Sequence, residues 1–73
     1  MTGGEARAFL RTADLGGARQ RCGISERTMA RGLGVTRNAV WRWEQRVNFP
    51  RGASAGRYAR VIAGLQRHLE VSW

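Results

Sequence analysis

The chain has 73 residues, 42% apolar and 25% charged, which suffices for one small domain over 1–73 and excludes two domains or a deep catalytic cleft between packed layers. Its 13 cationic residues are all arginine, set against 5 acids, so the formal charge is +8 and a polyanionic partner is expected. The single cysteine, Cys22, excludes an internal disulfide framework.

No Cys/His cluster offers a set of metal ligands, and residues 1–10 lack the apolar run of a signal peptide or membrane span. These features predict a cytoplasmic protein that is not an enzyme, with no catalytic residue, no metal, no cofactor and no small-molecule substrate. No period-2 alternation is long enough for a strand, so the expected class is all-α: a compact bundle of four to five short helices.

The first apolar stripe runs through Ala6, Phe9, Leu10, Ala13, Leu15, Ala18 and Cys22. It predicts a helix over 5–22 with a break near its weak point at Gly16-Gly17, and leaves open whether residues 5–11 form a separate turn or short helix. Ser25 is an N-cap for a second helix that carries Met29, Ala30 and Leu33 and stops at Gly34, a residue suited to a left-handed turn. Thr36 caps a third helix, 36–46, whose inward residues are Ala39, Val40 and Trp43 and whose outer face is basic. Residues 46–53 contain Pro50 and Gly52 and form a loop. Tyr58, Val61, Ile62, Leu65 and Leu69 then space out a last helix over 54–70.

Two short capped helices joined by Leu33-Gly34-Val35-Thr36 have the sequence form of a helix-turn-helix spanning 25–46. Gly23-Ile24-Ser25, Met29-Ala30, Leu33-Gly34-Val35-Thr36-Arg37, Val40 and Trp43-Glu44 occur in one register. Over about Leu15 to Leu69 the chain resembles the Cro/repressor class of bacterial and phage regulators, the Xre family with its lambda-repressor-like DNA-binding fold.

The resemblance implies base reading by Arg37, Asn38 and Arg42. It implies backbone contacts from Ser25, Arg27 and Thr36 and from the loop residues Arg46, Asn48 and Arg51. It also implies a structural ion pair of Arg19 with Glu44. Two departures stand out: Glu26 occupies a position where the family often has glutamine, and Arg46 one where it often has glycine. Independently, arginine can bond guanine O6 and N7 and asparagine adenine N6 and N7, and both types share the outer face of the third helix.

The expected partner is double-stranded DNA, and the expected function a small phage, plasmid or chromosomal repressor that reads the major groove. Alternatives are a DNA architectural or excision accessory factor, and an antitoxin or other protein-interaction module, for which only residues 1–11 and 70–73 are spare. Trp43 is expected in the core, Tyr58 packed with its hydroxyl at the rim, Cys22 buried and His68 on the surface. Trp41 is expected either at DNA, alongside the backbone contacts, or against Phe9 and Leu10. Leu65, Leu69, Val71 and Trp73 offer a route to a homodimer through the C-terminal helix.

Overall fold

A computed structural model describes residues 2–71, and Trp73 therefore lies outside the described residues. Five α-helices follow one another: α1 Gly3–Thr12, α2 Leu15–Arg21, α3 Glu26–Leu33, α4 Arg37–Glu44 and α5 Ala53–Val71. Among the described residues there is no strand, and no helix is long and apolar enough to cross a membrane. The all-α class and the small bundle expected from the sequence are what the chain forms.

Residues 5–22 fall in two helices, the alternative that the sequence left open, and the break lies at Ala13-Asp14 rather than at the glycine pair. Ala13 is extended (ψ 148°), and the Asp14 carboxylate accepts from the Gly17 N–H at 3.1 Å, so Asp14 starts a new helix as its N-cap. The glycines lie inside the first turn of α2 because carboxylates crowd them there. A Cβ on Gly16 would sit 3.2 Å from Glu44 Oε1.

The two short helices α3 and α4 form where their capping residues predict. Ser25 Oγ accepts from the Thr28 N–H at 3.0 Å, and Thr36 Oγ1 from the Ala39 N–H at 3.1 Å. Gly34 ends α3 in the left-handed region (φ 71°), which an L side chain enters only with strain. Half-buried Val35 packs against the core at the turn. α4 is shorter than the expected 36–46, since Thr36 is its cap and Gln45 already caps its other end, and α5 extends one residue beyond 54–70 at each end.

Leu10, Val40, Tyr58 and Ile62 are the largest fully buried side chains. α5 supplies the floor on which α1 and α2 rest, and α3 packs against α4. α4 and α5 meet through their inward faces, with the Trp43 and Tyr58 rings 4.9 Å apart at 43°. Trp43 is thus in the core as expected. Tyr58 departs from expectation: its hydroxyl is not at the rim but buried and without a hydrogen-bond partner, because a ring stacked this deeply carries Oη inward with it. Cys22 is half-buried at the end of α2, with Sγ 3.9 Å from the Leu65 carbonyl oxygen.

Candidate nucleic-acid interface

α4 turns Val40 and Trp43 inward and so leaves Arg37, Asn38, Trp41 and Arg42 on its exposed side. Arg37, Asn38 and Trp41 share one surface depression with Glu26 of α3. Trp41 is 46% exposed, while Leu10 is fully buried and Phe9 half-buried. Arg42 stands one turn beyond Asn38 on the same side of the helix.

Glu26 would repel a phosphate if its charge stood alone. Its Oε1 lies 3.8 Å from Arg37 Nε, and the Glu26 side chain is only 19% exposed against 64% for Arg37. The acid is therefore offset by the arginine expected to read bases. Ser25, Arg27 and Arg37 line an adjoining depression with Glu26 and Arg19.

The hydroxyls of Ser25 and Thr36 are occupied within the protein. Ser25 Oγ caps α3 and also donates to Thr28 Oγ1 at 2.9 Å, and Thr36 Oγ1 caps α4. What these two positions present outward is the start of a helix, where unpaired N–H groups and the positive end of the helix dipole favour anions.

Arg46, expected along the DNA backbone, makes two hydrogen bonds within the protein. Its Nη1 donates to the Leu10 carbonyl at 3.2 Å and its Nη2 to the Ala13 carbonyl at 2.9 Å, which caps the end of α1. Arg46 holds the left-handed conformation (φ 59°) that glycine more often occupies at such an exit, and its guanidinium carbon sits 5.9 Å from the Phe49 ring centre. Arg46 stays exposed, and these bonds use one N–H on each of its two Nη atoms.

Asn48 and Arg51 line a third depression together with Trp43, Phe49, Pro50, Ser54 and Arg7 of α1. Arg7 was not singled out in the sequence. Only the folding of α1 beside the loop brings it there, across more than 40 positions of chain, so no local motif could have signalled it.

The resemblance-derived pair forms with two hydrogen bonds. Arg19 Nε meets Glu44 Oε2 at 2.6 Å and Nη2 meets Oε1 at 3.0 Å, while Nη1 donates to the Ile24 carbonyl at 2.8 Å. The side chains are 10% and 7% exposed. Hydrogen bonding to Glu44 raises the Arg19 pKa further above its already high value, more than burial lowers it. The last turn of α4 is thus tied to α2 through Glu44 and to α1 through Arg46, which sets how α4 is presented to solvent. No protein-family model, curated protein or solved structure matches this chain.

Proposed function

We propose that the protein is a sequence-specific double-stranded-DNA-binding regulator that lays α4 in a major groove. Arg37, Asn38 and Arg42 read base edges. Arg27, Arg51, Asn48 and Arg7, with the N–H groups at the starts of α3 and α4, hold phosphates, and Trp41 lies against sugar or a thymine methyl. The observation that carries this reading is the pairing of α3 and α4 around Gly34. It buries one face of α4 and exposes on the other a bidentate-capable set of arginine and asparagine beside an aromatic ring. The excess of arginine supports it, since neutralising phosphates supplies most of the affinity of small DNA-binding domains.

The reading is tested by selecting bound duplexes from a random pool and comparing two variants on the selected and on random DNA. Arg42→Ala is expected to lose about 1–3 kcal/mol on the selected site and much less on random duplex. Arg51→Ala is expected to weaken both by similar factors and to lower the log–log salt slope by about one. A pool that yields no motif sinks the sequence-specific reading, and equal losses for Arg42→Ala on both duplexes make that residue a phosphate contact.

A further inference from the structure

We infer that the outer face of α5 is a second polyanion-binding surface, which takes the backbone of a second DNA duplex while α4 holds the first. The inference rests on the reading of α4 given above, and the two can fail separately.

The direction of the two faces follows from the core. The Trp43 and Tyr58 rings meet in the core, so they mark the inner faces of α4 and α5. On α4, Asn38 and Trp41 lie on the side opposite Trp43, by the period of 3.6 residues per turn. On α5, Arg60 and Arg67 lie on the side opposite Tyr58 by the same count. The two exposed faces therefore lie on the outer sides of different helices, and the depressions on them share no residue.

The chemistry of the α5 face is that of a phosphate track. Arg57, Arg60 and Arg67 are all exposed, and the ion pairs of the described residues tie up Arg19, Arg21 and Arg37 and none of these three. Arg60 and Arg67 flank a depression lined only by α5 residues, with Ala63, Gln66 and Glu70, and Arg21 of α2 stands at the far edge of Gln66 and Glu70. At about 1.5 Å rise per residue, Arg60 and Arg67 are about 10 Å apart along the helix, and Arg57 about 15 Å from Arg67. These separations let each guanidinium meet its own phosphate on a polymer with a charge every ~1.7 Å. A second copy of the chain fits the face less well. A two-fold through α5 would bring the arginines near their own copies with only Glu70 to offset them, and like charges so placed oppose association.

The test is a bridging assay. Bead-bound duplex carrying the selected site is saturated with protein, and capture of a free labelled duplex of random sequence is measured. The wild-type protein is expected to capture it, with capture falling steeply as salt rises. The triple variant Arg57→Ala, Arg60→Ala, Arg67→Ala is expected to bind the bead-bound site within about threefold of wild type and to lose about tenfold or more of the capture. Alanine at exposed helix positions preserves α5, which circular dichroism checks. The triple lysine variant is expected to restore capture.

If the wild-type protein binds the beads but captures nothing, the second surface does not exist and the α4 reading stands. Failure to bind either duplex overturns the α4 reading instead. Capture that survives the triple alanine variant places the second contact elsewhere. Capture that requires two protein chains per bridge, by sedimentation, assigns bridging to a dimer and overturns the inference. So does a face that takes polyglutamate but no second duplex.

Discussion

Tyr58 carries a hydroxyl into a place where nothing bonds to it, beside an Arg19–Glu44 pair that is fully bonded, and the contrast decides what each residue contributes. An unpartnered buried hydroxyl is a net loss relative to the same ring without it, by about 1 kcal/mol. Tyr58→Phe is therefore expected to raise the melting temperature by about 4–8 °C, and a lower melting temperature would show that the hydroxyl is bonded after all. Burial, reinforced by the Glu44 charge, pushes the phenol pKa up, against a smaller opposite effect from Arg19 and Arg46. The unfolded phenol ionises near pH 10 and the folded one only above that. Above pH 10 the unfolded state has thus shed a proton that the folded state keeps, and stability falls as pH rises. With one tyrosine in the chain, tyrosinate absorbance reports this ionisation directly, and Tyr58→Phe is expected to flatten the alkaline loss. The ion pair behaves in the opposite sense when cut. Glu44→Ala leaves a buried guanidinium with only the Ile24 carbonyl and is expected to destabilise by about 2–4 kcal/mol. Melts of Glu44→Ala, Arg19→Ala and the double variant that simply add would mean the two are not coupled.

At the scale of elements, the orientation of α4 depends on residues just past its end. Arg46→Gly removes two hydrogen bonds from a charged donor to the end of α1 and relieves an L residue of a left-handed φ. The first effect is worth roughly 1.5–3 kcal/mol per bond when sheltered from water, and the second about 1–2 kcal/mol. Since Arg46 is largely exposed, the bonds sit at the low end and a net loss of about 1 kcal/mol is expected, with faster amide exchange in the last turn of α1. An Arg46→Gly variant as stable as the parent would assign the guanidinium no capping role. The same residue marks where the sequence stops being legible. Ser25, Gly34 and Thr36 announce their roles because capping is chemistry within three or four residues. The stripes of α3, α4 and α5 are legible for a similar reason, one face of each helix being apolar. The break at Asp14 was masked by the glycine pair, whose small size answers to Glu44 and Asp14 rather than to a hinge. Arg46 reaching back 36 positions to Leu10, and Arg7 arriving beside Arg51, depend on how helices dock, which no local pattern encodes.

For the whole molecule, charge is expected to act on folding and on the proposed DNA binding with opposite dependence on salt. The molecule measures 34 × 25 × 19 Å, so at 0.01 M ionic strength, where screening extends about 30 Å, every arginine feels every other; at 0.15 M the range is about 8 Å and only neighbours do. Among the described residues the ion pairs Arg19–Glu44, Arg21–Asp14 and Arg37–Glu26 supply attraction, and Arg19–Glu44, being buried, is insensitive to salt. The remaining surplus of the +8 charge is spread over the surface and repels itself. Raising salt from 0.01 to 0.15 M is therefore expected to raise the melting temperature of the free protein. Over the same range its affinity for duplex DNA is expected to fall, with a log–log slope of roughly −5 to −7 for six to eight neutralised phosphates. A short duplex added at low salt stabilises the fold doubly, by mass action and by cancelling the repulsion. Its effect on the melting temperature should accordingly be largest at 0.01 M and shrink with salt, until the two curves converge. Scanning melts with and without duplex across salt decides this. A free protein that melts lower as salt rises would mean that surface attraction outweighs repulsion, and a duplex effect independent of salt would mean that binding does not run through phosphates.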